Sequence, residues 1–206
     1  MIADTAWRLF ADRGFDQVTV ADVAREAMVA PATVFNYFPT KEDLFFFRLE
    51  AFGQRLVEAI AERPEGETAL AAFRRYLLQP AGLLGELEAG DALALERLRT
   101  LHRVIAASPA LQAREQRALA SYADALAELL TSETRAAADD GRALVAAHAL
   151  MGVQRVLIDY VRRRVLADEQ LDRLPADVRR LGRRAFAALE SGLGDYAPKR
   201  ASWPAR

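Results

Sequence analysis

Apolar positions recur along this chain with the 3.6-residue period of helices, and no segment alternates with period two for long. Ala6, Leu9 and Phe10 share one side of a first helix over residues 2–13, and Gly14 is placed to end it. Thr19-x-x-Asp22 has the form of a capping box, with Asp for the usual Glu. Val18 and Val23 fall at the staple positions of the second helix, which runs to about Ala27. "MVA" (28–30) is a short turn, and Pro31 suits the first position of a third helix, 31–37. Thr40-x-x-Asp43 opens a fourth helix reaching about Arg63, with "LFFF" (44–47) marking where it begins to pack into the body. Breaks at 64–67, 80–82, 108–109, 138–142 and 168–175 then separate helices at 68–79, 91–106, 109–135, 142–165 and 176–193. Ser108 is expected to cap the helix that Pro109 begins. The Gly-rich stretch 80–90 suits a lid or entrance, and the tail from residue 195 looks frayed. The expectation is an all-α chain of about nine helices, with a three-helix head over 1–46 and a larger helical body over 47–206.

The head holds two short helices joined by a turn of three or four residues, which is helix-turn-helix spacing. The third helix is too short to stand alone. Val34 and Phe38, at i and i+4, can hold it against Val23, Ala24 and Ala27. Ala32, Thr33, Phe35, Asn36 and Tyr37 are left pointing outward or sideways, as contact with base edges and phosphates requires. The same pattern also occurs in helical proteins that bind no nucleic acid, where Phe and Tyr are core residues.

Charge pulls against a DNA reading. Residues 1–50 carry Arg8, Arg13, Arg25, Lys41 and Arg48 against eight acidic side chains, net −3, in a 206-residue chain of net −1. Lys occurs only at 41 and 199 while Arg occurs 26 times, a coding bias of a GC-rich genome rather than a functional sign. The absence of Cys excludes disulfides and thiol chemistry and fits a reducing cytosol. No uninterrupted apolar run approaches the roughly 18 residues of a membrane span. A soluble cytoplasmic protein, with no membrane partner, is the expectation.

Residues 5–49, "TAWRLFADRGFDQVTVADVAREAMVAPATVFNYFPTKEDLFFFRL", resemble the DNA-binding head of the tetracycline-repressor (TetR) family. The matching blocks are A-x-x-L-F-x-x-x-G-F, T-V-x-D-V-A-x-x-A and, most specific, T-V-F-N-Y-F-P-T-K-E-D-L. The resemblance implies a homodimeric transcriptional regulator, typically a repressor, that reads a palindromic DNA operator and is released by a small-molecule effector. It implies that the third helix enters the major groove with Pro31 and Ala32 near base edges. Phe35 stands where the family usually has Tyr and can press on a thymine methyl, and Asn36 is suited to adenine. Thr33 and Tyr37 match phosphate-contacting positions. Thr19 caps the second helix and also lies near the backbone, and Lys41 is placed to hold a phosphate. This chain departs from the family where Met28 replaces a common Gly and Ala30 a frequent Ser. If residue 28 needs positive φ, Met costs roughly 1 kcal/mol there. The first helix also starts at residue 2, where the family has a longer and often Arg-rich arm; either the arm is absent or the start lies upstream.

The body departs from any one signature. Leu150, Val153 and Leu157 of the eighth helix and Val178, Leu181, Ala185, Phe186 and Leu189 of the ninth are expected to pair with a second copy in a four-helix bundle. The bland alternative makes the eighth helix a core helix of one chain. A ligand pocket is expected among helices four to eight, with Phe47, Phe52, Phe73, Tyr76, His102, Arg103, Tyr122 and Gln154 as candidates. No cofactor, metal or catalytic residue is expected. His102 and His148 have no metal-ligand spacing, and no phosphate-binding glycine loop or serine elbow occurs. Two readings stand beside the regulator: a helical ligand-binding protein that has lost operator binding, and a small helical enzyme.

Overall fold

The computed structural model describes residues 1–79, 92–134, 140–167 and 171–193. The stretch 80–90 read as a lid, and the tail from 194, lie outside the described residues. Within them are nine helices and no β-strand: α1 Ile2–Arg13, α2 Val20–Glu26, α3 Pro31–Tyr37, α4 Lys41–Ala61, α5 Ala69–Leu78, α6 Ala92–Ala107, α7 Pro109–Thr134, α8 Arg142–Leu166 and α9 Leu174–Leu193. The helical boundaries follow the local signals closely. Gly14, at φ 85, ends α1 with its N–H on the Phe10 carbonyl at 3.0 Å. The Thr68 hydroxyl accepts from the Ala71 N–H at 3.2 Å and starts α5.

The chain divides into two compact units, and neither is one continuous stretch. The first holds Met1–Phe52 and Glu96–Ala118; the second holds Gly53–Leu95 and Leu119–Arg206. The head is therefore not the segment 1–46 alone.

The first unit is built on aromatic packing. Phe10 lies 5.0 Å from Phe15 and 6.1 Å from Phe45, and Trp7 stacks 5.3 Å from Phe45. Val18, Val23, Ala24 and Val34 close over them, and Val104, Ile105 and Leu111 of α6 and α7 complete the same core. The "LFFF" run thus does not begin the packing of the body. Leu44, Phe45 and Phe46 are buried in the head's own core, and Phe47 is exposed against Phe38. The α7 end of this unit is tied by polar contacts. The Ser108 hydroxyl, expected to cap α7, instead donates to Asp16 at 2.9 Å. Arg114 pairs with both Asp43 and Glu50 of α4.

In the second unit α9 packs against α8 and α5, with the Phe73 and Phe186 rings 6.1 Å apart. Arg63 is 2% exposed and joins the end of α4 to the loop after it. Its guanidinium donates to the Ile60 and Glu67 carbonyls at 2.6 and 3.0 Å and binds Glu133 at 2.5 and 3.2 Å. The Tyr122 ring of α7 fills the space a Cβ would need at Gly53 of α4. Of the described helices, α8 alone is long and apolar enough to cross a membrane, at mean hydropathy 1.3 over the best 18 residues, of which 44% are buried within the chain.

Candidate nucleic-acid interface

The turn before α3 decides how that helix is presented. The Val29 N–H bonds back to the Ala24 carbonyl at 2.9 Å and the Met28 N–H to the Arg25 carbonyl at 3.2 Å. Those two bonds are the Schellman pattern, which places its C′ residue in the left-handed region. Met28 is that residue, at φ 56, and its side chain is 91% exposed. The strain anticipated for Met28 is therefore present. Val29, next along, packs against the core of the first unit. Ala30 is extended and offers no side-chain cap, so α3 starts on Pro31 alone.

Only Val34 of α3 is fully buried, at 0% exposure, and half-buried Phe38 ends the helix against Phe47 at 5.4 Å. With seven residues, α3 depends on that anchoring. Pro31, Ala32, Phe35, Asn36 and Tyr37 are exposed, Phe35 at 51% and Tyr37 at 72%, and Thr33 is half-buried. Neither the Asn36 amide nor the Tyr37 hydroxyl has a partner among the described residues. An aromatic ring, an amide and a phenol thus stand out on a rigid short helix with their polar atoms unpaired.

The polar residues on either side of α3 are engaged in structure. Thr19 forms the full capping box: its hydroxyl accepts from the Asp22 N–H at 3.1 Å and donates to the Asp22 carboxylate at 2.6 Å, and its N–H donates to that carboxylate at 2.9 Å. The Thr19 hydroxyl and backbone hold the Asp22 carboxyl down to about 2, with Arg25 adding to the effect. Thr40 repeats the box with Asp43. Lys41, expected on a phosphate, turns inward. Its ammonium donates to the Phe15 carbonyl at 3.0 Å and the Val18 carbonyl at 3.1 Å and sits 4.1 Å above the Phe15 ring. Arg8 pairs with Glu26 at 2.7 Å and Arg25 with Asp22. Among the described residues, α3 consequently presents aromatic rings and an amide, while Arg8, Arg25 and Lys41 are engaged within the chain.

The eight pocket candidates are divided between the two units. Phe47, Phe52, His102 and Arg103 belong to the first unit, and Phe73, Tyr76, Tyr122 and Gln154 to the second. Phe47 and Arg103 are exposed, and His102 is buried in the first unit. Phe73 is packed on Phe186, and Tyr122 lies on Gly53. Burial raises the Tyr76 hydroxyl above its ordinary range. Gln154 is the candidate with an unexplained polar atom: it is 3% exposed and its Oε1 has no partner.

The residues expected at a dimer interface face inward. Leu150, Val153, Leu157, Val178 and Phe186 are buried within the single chain, and Leu181, Ala185 and Leu189 are half-buried. Among the residues α8 exposes are Leu144, Val145, His148, Gly152, Arg155 and Val156. Its apolar residues run round most of its circumference, so periodicity alone could not separate its inner face from its outer one.

Residues 2–46 match the sequence profile of "Bacterial regulatory proteins, tetR family". The HTH-type transcriptional regulator TcmR of Streptomyces glaucescens is 28% identical over 200 residues, covering 94% of this chain and 80% of TcmR. The fold is shared with the transcriptional regulator FadR from Bacillus subtilis in complex with stearoyl-CoA, at TM-score 0.52 and 24% identity, covering 93% of this chain and 97% of FadR. It is likewise shared with Salmonella enterica GusR, at TM-score 0.52 and 16% identity, covering 94% and 93% of the two chains.

Proposed function

We propose that the chain, whose residues 2–46 match the tetR family profile and which resembles the transcriptional regulator TcmR over 94% of its length, is a transcriptional regulator of that family rather than an enzyme, and that it acts in the cytoplasm as a homodimeric repressor of a palindromic operator. The observation that carries this reading is α3 itself, anchored through Val34 while Phe35, Asn36 and Tyr37 stand exposed. In the major groove Asn36 bonds an adenine edge through both amide atoms, and Phe35 covers a thymine methyl. Thr33 and Tyr37 contact phosphates, and Pro31 and Ala32 lie against base edges near the start of the helix. Thr19 contributes as the cap that fixes α2, and Lys41 as an internal tie. Occupancy of the operator blocks transcription sterically.

A second copy docks on the outer faces of α8 and α9. The support is Gly152, exposed in mid-helix with nothing within 4 Å of where a Cβ would lie. Glycine there weakens a helix by roughly 1 kcal/mol relative to Ala, a loss that close approach of a second helix would offset. A small-molecule effector enters the second unit and favours a state that no longer fits the operator. The buried, unpartnered Gln154 Oε1 supports a hydrogen bond donated by that effector. The bound stearoyl-CoA named for FadR is a property of that protein; it supports a ligand in this fold without fixing its chemistry here.

The test is selection of bound duplexes from a random pool. A palindrome should be enriched, and Asn36→Ala should lose about 1–3 kcal/mol of discrimination at one adenine in each half-site. Failure to enrich any sequence, or unchanged discrimination in Asn36→Ala, overturns the respective part of the reading.

A further inference from the structure

A second concentration of chemistry lies away from α3. In the second unit α5 and α9 border an open groove of about 520 Å³ lined by Arg74, Arg75, Leu78, Gln79, Arg179 and Arg183. Gly182 permits the approach of the two helices, since a Cβ there would lie 2.6 Å from the Leu78 side chain. Leu78 thereby becomes an apolar wall between arginines. Four guanidiniums thus line one concavity, and among the described residues that line it there is no carboxylate. Repulsion among like charges opposes that arrangement.

At Arg75, and weakly at Arg74, internal pairing compensates part of it. Arg75 is held by Glu67 through bonds of 2.9 and 2.8 Å, which lower the Glu67 carboxyl and raise the guanidinium. Arg74 reaches Glu190 only at 3.6 Å, with 40% and 55% of the two side chains exposed, and such a pair contributes little. Arg183, one helical turn beyond Arg179, has no anionic partner among the described residues.

We propose that this groove binds a small molecule carrying a diphosphate. Guanidinium forks match phosphate oxygens two at a time. Side chains one turn apart on a helix begin about 5–6 Å apart, so Arg179 and Arg183 can share two neighbouring phosphoryl groups. Arg74 closes on them from α5, and Leu78 offers apolar contact to the rest of the molecule. The groove's volume lies within the range of about 300–1,000 Å³ usual for small-molecule sites. The site does not depend on operator recognition and is tested without DNA.

The experiment is isothermal titration of the full chain with inorganic pyrophosphate at low ionic strength. One saturable site per chain is expected, with orthophosphate at matched ionic strength at least about tenfold weaker. Arg183→Gln and the double variant Arg179→Gln/Arg183→Gln should each weaken pyrophosphate binding about tenfold or more, the scale of one lost charged hydrogen bond. Arg117→Gln, an exposed arginine of α7, should leave it unchanged. Circular dichroism checks the fold of each variant, and the exposed Arg183 makes the single variant the safer reading. Absence of a saturable site, equal binding of orthophosphate, or an equal loss in Arg117→Gln overturns the proposal.

Discussion

Met28 sits at φ 56 on the turn that aims α3. An L-residue in that region carries roughly 1–2 kcal/mol of strain that glycine does not. Met28→Gly should therefore raise the unfolding free energy by about 0.5–1 kcal/mol in urea titrations; no gain would mean the turn is relaxed. Asp22 gives a second residue-scale outcome. Its folded carboxyl is lowered to about 2 from 3.8, so the stabilisation it provides is complete above about pH 4 and is lost as pH falls through 2. Thermal midpoints followed from pH 4 to pH 2 should fall less steeply in Asp22→Asn than in the parent chain; identical slopes would exclude the linkage. The capping box was legible because Thr19 and Asp22 are three residues apart; the strain at Met28 was foreseen, on condition of a positive φ, only because the resembled family commonly has Gly there. Arg63 and Lys41 were not. Their partners lie up to 70 and 26 positions away, and nothing local distinguishes an arginine bound for Glu133 from one bound for water.

At the scale of helices, α4 begins where three separate ties meet: the Thr40 capping box, Arg114 on Asp43, and Lys41 on the α1–α2 loop. Lys41→Met would strand two carbonyls, and about 1–3 kcal/mol of stability should go with them. Were the lysine a phosphate contact, the same change would reduce the slope of log affinity against log salt by about 1 for each copy. The expected result is lower stability in denaturant with an unchanged salt slope, measured by gel shift on the selected operator. The helices were readable as elements because Gly14, Pro31, Thr40, Thr68 and Pro109 punctuate them. The faces were readable only where apolar positions form a stripe. α3 has one inward position and declared its outer side, whereas α8 is apolar nearly all round and did not.

For the whole molecule, the proposed dimer rests on the outer face of α8. Val145, Gly152 and Val156 fall at i, i+7 and i+11, a single stripe. Val145→Glu/Val156→Glu should give a monomer in sedimentation velocity and lose operator affinity, with its helical content kept. A dimer surviving that double change would move the interface elsewhere. The discontinuous first unit has a separate consequence, for modularity. Val104, Ile105 and Leu111 lie in the same core as Phe10 and Phe45, and Ser108 and Arg114 bind Asp16 and Asp43. The DNA-reading head is therefore not a detachable cassette: a fragment ending near residue 46 lacks part of its own interior. A chimaera that exchanges this head for a relative's must exchange the inward residues of 96–118 as well, so the proposed operator specificity and that segment are inherited as one block.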